Sequence, residues 1–433
     1  MKTSIFFLFL FISFYSFGNN KIHDVDIISY NIDMKLDTIS RKLDIHSDIR
    51  IQNKDTISDV KFLFRDWIKI ERAKLNGRNL EYHQAKDTLY VHANKLKTLN
   101  LTIDYTLPID SFKLDKKENV IALNRPLKWY PYIYDDISEL NSKITVPKGY
   151  NVYSSGVLLD YNENNAFCHY RFQNKINSGF PYFFAPKGYY RETTKRQNGI
   201  NIKFCFHNPD SILTKSIIRE SLSGFDFGTL YIGKYNRPNL TYIEYPGFDC
   251  SQSLETFVLM GSDFIKYFGL YPSIRFWPSH ETIHQWIGAG YFNSFSKRRE
   301  KMCFMEESLT EYLRYMCVEE VYGTDSLKNE IKRSIDYYNK QIKGTPQDVS
   351  ISTNLPNDVT YLIGPLILHT VRLEMGDENW HKFIRKLYVD NYGKVIDYNI
   401  FKSTLGLYAK LSTIQRMEES MNTKGVPKEY SHY

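Results

Sequence analysis

The chain has 433 residues, of which 42% are hydrophobic, 15% aromatic and 24% charged. This composition excludes a disordered, collagen-like or coiled-coil protein, and the length predicts two or three domains. The net charge of +7 is small for this length, and the densest basic run is only Lys297-Arg298-Arg299. Nucleic-acid binding is therefore not predicted.

The first residues are typical of a secretory signal peptide. Lys2 precedes an apolar run from Ile5 to Phe17, and small residues surround a cleavage site after Gly18. The run is shorter than the roughly 20 apolar residues of a membrane-spanning helix. We therefore expect residues 1–18 to be removed and the mature protein to be periplasmic or extracellular, with a retained anchor as the alternative. No later stretch predicts a membrane span.

The five cysteines are odd in number and widely spread, and no Cys-x-x-Cys pattern is present. A cysteine metal site is not predicted, and the disulfide pairing stays open.

Residues 19–190 are predicted to form an all-β domain. Short runs such as 32–36 and 43–45 alternate apolar and polar residues, which is the pattern of half-buried strands. Turn signals recur between them, including Asn76-Gly77 and the Pro-Lys-Gly at 147–149.

Residues 191–433 are predicted to be mainly helical, which makes the chain an α+β protein. Strands continue to about Tyr245, with one helix near 213–228. From Ser251 onward the apolar period becomes that of helices. One predicted helical stripe comprises Leu254, Phe257, Val258, Ser262, Ile265 and Phe268, and further helices are predicted over 309–321, 327–342 and 363–375.

The most informative stretch is His-Glu-Thr-Ile-His at 280–284. Histidines at i and i+4 project from one face of a helix, so His280 and His284 can bind one metal ion. Glu281 lies on the flank where a metal-bound water would sit and is the predicted general base. Zinc is the expected metal, one ion per chain, because it takes three protein ligands and a water.

A third ligand is expected from the acidic stretch 305–313, which is predicted to be helical. Spacing alone does not choose between Glu306 and Glu307. Glu311 lies one helical turn after Glu307, so with Glu307 at the metal it could accept a hydrogen bond from a ligating imidazole.

These motifs resemble the aminopeptidase N family of gluzincin metallopeptidases, in a short form without the large C-terminal helical domain. The family reads His-Glu-x-x-His-x-Trp-x-Gly, which matches 280–288, and then Asn-Glu-Gly-Phe-Ala, whose glutamate falls on Glu307. Further family counterparts lie at 128–131 and 422–427, so the resemblance covers nearly the whole mature chain. It implies a saddle-shaped β domain, a thermolysin-like catalytic domain and peptide substrates.

The resemblance also implies two further roles. Tyr361 falls on the tyrosine that stabilises the tetrahedral intermediate, and Glu244 falls on the glutamate that holds the free α-amino group of the substrate. The chain departs from the family at Ser308 and Ile363, where the family has glycine and lysine. The exopeptidase signature around Glu244 lacks its glycine and asparagine, and the loop before Glu307 looks like an insertion.

The sequence leaves several functions open. The leading one is a zinc aminopeptidase. The alternatives are an enzyme similar to the glycyl aminopeptidases, an endo-acting peptidase, or a peptide-binding protein that keeps its zinc site but has an altered cleft. The oligomeric state is not predicted.

Overall fold

The structure is a computed structural model that describes residues 25–430, apart from 55, 116–118, 134–135, 178, 208, 210, 249, 269–274, 294–300 and 354–357. The predicted signal peptide, 1–18, lies outside the described residues, as does the basic run 297–299. None of the helices in the described part has the length and apolar character that a bilayer crossing needs.

The N-terminal region consists of strands joined by turns and short 3-10 helices, as predicted. Its strands are β1 (Val25–Asp37), β2 (Lys42–Asn53), β3 (Asp59–Leu63), β4 (Lys69–Leu75), β5 (Arg78–Asn79), β6 (Tyr82–Ala85), β7 (Thr88–His92), β8 (Thr98–Pro108), β9 (Lys113–Asp115), β10 (Val120–Leu123), β11 (Ser138–Pro147), β12 (Tyr150–Ser154), β13 (Val157–Glu163), β14 (Phe167–Asn177) and β15 (Tyr182–Pro186).

Within the described residues these strands form one large sheet and two small ones. The eight-stranded sheet has the order β13-β14-β11-β1-β2-β8-β4-β5, and the small sheets have the orders β12-β15-β10-β9 and β3-β7-β6. In β1 the buried Tyr30, Ile32 and Met34 alternate with exposed residues, as the period of two requires. Side chains from all three sheets meet in one apolar core.

The C-terminal region is built on a five-stranded mixed sheet. Its strands are β16 (Arg191–Gln197), β17 (Ile200–Phe206), β18 (Asn239–Tyr245), β19 (Ser251–Leu254) and β20 (Phe257–Gly261). They pair in the order β16-β17-β18-β20-β19, and β17, β18 and β20 run parallel to one another. A separate two-stranded ladder joins β21 (Phe292–Asn293) to β22 (Val395–Ile396).

The predicted helical stripe from Leu254 to Phe268 is wrong in its first half. Ser251–Leu254 and Phe257–Gly261 form the hairpin of β19 and β20, and the helix begins only at Ser262. Every residue of Phe257–Gly261 is buried because the strand is covered on both faces. A strand of that kind has no alternation, so its apolar run cannot be distinguished from a helix by periodicity.

The helices cover one face of this sheet and continue to the end of the described chain. They are α1 (Ser211–Phe227), α2 (Ser262–Phe268), α3 (Trp277–Ile283), α4 (Leu309–Tyr322), α5 (Thr324–Tyr337), α6 (Asp358–Leu362), α7 (Gly364–Met375), α8 (Asp377–Asn391), α9 (Tyr398–Leu405) and α10 (Leu411–Asn422). The helices predicted near 213–228, 309–321, 327–342 and 363–375 are present as α1, α4, α5 and α7.

The five-stranded sheet lies between the helices and the N-terminal strands. Its helical face carries Phe204, Tyr242 and Met260 into the helical core, while the opposite face carries Ile243 and Leu259 into a small cluster shared with the N-terminal strands. Tyr189 and Tyr190 are buried in that shared cluster (both at most 6% exposed). The exact domain division at residue 190 stays a prediction.

Candidate metal centre

The two predicted histidines lie on α3 and at its C-terminal end. Pro278 occupies the first turn of α3, where the missing N–H costs no hydrogen bond. The helix packs so closely on α1 that a Cβ at Gly224 would lie 2.8 Å from the Cα of Ser279. This contact needs a glycine, and it fixes α3 against its neighbour.

His280, His284 and Glu307 converge on one point. The two Nε2 atoms are 3.1 Å apart, and Glu307 Oε2 lies 3.5 Å from that of His280 and 3.3 Å from that of His284. One ligand atom from each residue lies within 4.8 Å of the others. Two imidazole nitrogens and one carboxylate oxygen are the donor set of a catalytic zinc site.

The structure also distinguishes Glu307 from Glu306. Phe304–Ser308 forms a π-helical turn that leads into α4, and the wider turn changes which residues share a face. Glu307 points to the histidines, whereas Glu306 faces Gly288, where an added Cβ would lie 2.7 Å from its Oε1. The side chain at the centre is therefore Glu307, as the family resemblance implies.

The Nδ1 atoms of both histidines have acceptors. His280 Nδ1 lies 2.8 Å from Oε2 of Glu311, and His284 Nδ1 lies 3.0 Å from the carbonyl oxygen of Ile287. A proton on each Nδ1 satisfies these contacts and leaves both Nε2 lone pairs directed at the centre, as a metal requires. Glu311 is thus the carboxylate that faces Nδ1 of His280.

A buried chain of charges lies behind His280. Arg314 donates two hydrogen bonds to Glu311, at 2.9 and 2.6 Å, and lies 2.8 Å from Glu330 on α5. All three side chains are buried. Burial by itself raises the pKa of Glu311, but Arg314 and the hydrogen bond with His280 lower this pKa to about 2. Glu311 is therefore ionised and can accept a hydrogen bond from the Nδ1–H of His280.

Glu281 is buried beside the two histidines, with 2% of its surface exposed. Its Oε1 accepts a hydrogen bond of 2.9 Å from the indole N–H of Trp277. Its Oε2 is buried and has no hydrogen-bond partner within the described residues. Burial raises the pKa of the Glu281 carboxyl, and the two histidines partly offset this rise.

Tyr361 belongs to the same cluster. Its ring centroid lies 6.1 Å from that of His280 and 5.9 Å from that of Trp277. Burial raises the pKa of the Tyr361 hydroxyl well above its usual range, and the neighbouring Glu307 raises it further. The hydroxyl therefore keeps its proton and is a hydrogen-bond donor at neutral pH.

Ser308, one of the departures from the family pattern, connects two parts of the cluster. Its hydroxyl is buried and donates a hydrogen bond of 2.7 Å to the carbonyl oxygen of Thr360. Ser308 follows Glu307 and Thr360 precedes Tyr361, so this bond joins the turn of the carboxylate to the helix of the tyrosine. A Cβ at Gly364 would lie only 2.0 Å from the Ser308 hydroxyl oxygen.

Gly364→Ala is expected to destabilise the protein by about 1–3 kcal/mol, because the new methyl group overpacks a filled site. Urea unfolding measures the loss. Gly406→Ala is the matched control, since a Cβ there meets its nearest atom at 3.4 Å. Adding Ser308→Gly to Gly364→Ala makes room for the methyl group and should restore most of the stability. A double variant as unstable as Gly364→Ala would contradict this explanation.

Glu244 lies on β18, near its C-terminal end. Its Oε2 accepts a hydrogen bond of 2.7 Å from the backbone N–H of His207. It shares a strand face with Tyr242, whose hydroxyl lies 2.6 Å from the Thr282 hydroxyl on α3. The strand of Glu244 is thereby attached to the helix of the histidines.

The sequence analysis missed the hairpin that lies against α3. Gln285 donates to the Ser253 hydroxyl at 2.6 Å and to the Leu254 carbonyl at 2.8 Å, and it accepts from the Thr256 N–H at 3.0 Å. Glu255, at the turn, is 1% exposed. An acidic residue in a turn between two strands would have marked Glu255 as a candidate functional residue. The helix predicted across 254–268 left no turn at that position.

Comparison with known proteins gives matches only among solved structures. No family model and no curated protein matches the sequence. The crystal structure of an M1 zinc metallopeptidase from Deinococcus radiodurans has a TM-score of 0.72 at 14% identity, covering 93% of this chain and 94% of that one. The chain has the fold of the M1 zinc metallopeptidases.

Two related structures agree with this M1 fold. A variant of the Deinococcus radiodurans enzyme bound to a Tyr-Ser-Ala substrate has a TM-score of 0.73, and a variant of a two-domain M1 zinc metallopeptidase bound to L-arginine has 0.74. Both are 14% identical to this chain and cover 93% of it, and this chain covers 95% of each. The predicted α+β fold and the resemblance to the aminopeptidase N family are confirmed at the level of the fold.

Proposed function

We propose that the protein is a zinc-dependent peptidase that removes residues from the N-terminus of peptides. The observation that carries the proposal is the convergence of His280, His284 and Glu307 beside a buried glutamate, Glu281, whose Oε2 has no hydrogen-bond partner in the described structure. The M1 fold supports the same chemistry.

His280, His284 and Glu307 would hold the zinc ion. When bound, zinc lowers the pKa of water and polarises the scissile carbonyl. Glu281 then takes a proton from the attacking water through Oε2 and delivers it to the leaving amine. The protonated hydroxyl of Tyr361 donates a hydrogen bond to the oxyanion that develops on the substrate carbonyl.

Two buried carboxylates are candidates for binding the substrate ammonium. Glu244 is proposed from the family resemblance. Glu255 is a second candidate because its turn is tied through Gln285 to the helix of the histidines. Either would confer selectivity for a free N-terminus, since an ammonium gains a charge-assisted hydrogen bond that an acetylated amine cannot make.

The test compares one short peptide with a free or an acetylated N-terminus, using the zinc-loaded protein. We expect cleavage of the free peptide after its first residue and little cleavage of the acetylated one. Glu244→Gln and Glu255→Gln serve as controls for each other: the variant that loses the ammonium contact should raise KM for the free peptide by about tenfold.

The other outcomes separate the alternative functions. Equal cleavage of both peptides at an internal bond would indicate an endo-acting peptidase. Binding of zinc and peptide without any cleavage would contradict the enzyme and favour a peptide-binding protein. A panel of aminoacyl amides that includes glycyl amide would distinguish a glycyl-selective enzyme.

We also propose that the protein is exported and acts in the periplasm or outside the cell. The proposal rests on the signal-peptide pattern at 1–18 alone. N-terminal sequencing of the mature protein, with Asn19 expected as the first residue, tests it.

A further inference from the structure

Trp277 contacts three parts of the candidate centre at once. Its indole N–H donates a hydrogen bond of 2.9 Å to Oε1 of Glu281. Its ring stacks on His280, with centroids 4.4 Å apart and 12° between the planes. Its ring also lies 5.9 Å from that of Tyr361. One side chain therefore touches a proposed metal ligand, the proposed base and the proposed oxyanion donor.

These contacts follow from the place of Trp277 on the helix. It is the first residue of α3, three residues before His280 and four before Glu281, and residues at these spacings are neighbours on a helix surface. Trp286 gives a useful contrast. It is fully buried, and its indole N–H donates to the carbonyl oxygen of Gly233 at 2.8 Å, so it serves the core.

We propose that Trp277 is a positioning residue for Glu281. The indole N–H holds Oε1, and this fixes the carboxylate so that Oε2 is directed to the water that loses its proton. The stack keeps the ring of His280 in place, which preserves the distance between the base and the metal ligand. The inference rests on the proposed peptidase function and assigns a role to a residue outside the His-Glu-x-x-His motif.

Trp277→Phe tests the hydrogen bond, since phenylalanine keeps an aromatic ring for the stack but has no N–H. We expect kcat to fall about tenfold, the effect of losing one hydrogen bond to a charged group, with KM and the zinc content unchanged. Trp286→Phe is the matched control. It removes an indole hydrogen bond to a neutral carbonyl oxygen in the core, so we expect a loss of stability and a kcat within about twofold of the unaltered protein.

A double-mutant cycle shows whether Trp277 acts through Glu281. Glu281→Asp shortens the side chain by one methylene and withdraws the carboxylate from the indole. We expect Trp277→Phe to have almost no further effect on kcat in that background. The proposal would be overturned if the two substitutions lowered kcat independently, so that the double variant showed the product of the two single effects. It would also be overturned if Trp277→Phe alone left kcat unchanged or raised KM in place of lowering kcat.

A crystal structure of metal-free Trp277→Phe gives a readout that does not depend on activity. We expect the Glu281 carboxylate to rotate away from its position in the unaltered protein, and an unmoved carboxylate would overturn the inference. If the unaltered protein binds zinc but cleaves no peptide, the proposed peptidase function is refuted, but the role of Trp277 in holding Glu281 is not. The comparison of the two crystal structures then decides that role.

Discussion

Replacing Glu281 by glutamine is expected to lower kcat for peptide hydrolysis about a thousandfold, within the range found when a general acid–base residue is lost. Glutamine has nearly the same shape, and its amide oxygen can still accept the Trp277 hydrogen bond. It cannot take a proton from water. The zinc content should stay at that of the unaltered protein, because the variant keeps His280, His284 and Glu307.

Glu306→Gln is the matched control for this variant. It makes the same chemical change in the neighbouring acidic side chain, whose Oε1 lies 2.7 Å from the place of a Cβ added at Gly288 and which is not in the group of three converging ligand atoms. We expect its kcat to stay within a few fold of the unaltered protein. Steady-state kinetics and zinc analysis of the two variants, measured side by side, decide the question. A Glu281→Gln protein that binds zinc and keeps more than a tenth of its kcat would contradict the role of Glu281 as the base.

Replacing Arg314 by methionine is expected to cost about 3–5 kcal/mol of stability, the usual effect of removing one partner from a buried ion pair. The variant removes the guanidinium that pairs with both Glu311 and Glu330, and among the described residues Glu330 keeps its pair with Arg333. Urea unfolding of the metal-free protein measures the change in the free energy of unfolding. Zinc binding should weaken as well, because Arg314 holds Glu311 and Glu311 in turn fixes the ring of His280.

Arg416→Met is the control, since it makes the same substitution at a pair on the surface. Arg416 is 50% exposed and pairs with Glu374, and an exposed pair of this kind contributes at most about 1 kcal/mol. Equal stability losses for the two variants would show that the buried chain of charges has no special role. A loss for Arg314→Met below that of the surface control would also contradict it.

The sequence by itself determined the features that depend on local spacing. Two histidines four residues apart share a helix face whatever the rest of the chain does, so His280 and His284 were predictable as a pair. The alternation in β1 likewise identified half-buried strands. The family resemblance placed Glu307 and Tyr361, and it gave the fold that the solved structures confirm.

Only the tertiary structure decided the features that depend on distant contacts. Strand β20, at 257–261, is buried on both faces, so its sequence has no period that separates a strand from a helix. Spacing alone did not choose between Glu306 and Glu307, and it is at the π-helical turn of 304–308 that Glu307 meets the histidines. The support of His280 by Arg314 and Glu330 depends on the packing of α5 against α4. These positions follow from packing, because a side chain's partners are set by the elements that the fold brings beside it and not by its neighbours in the chain.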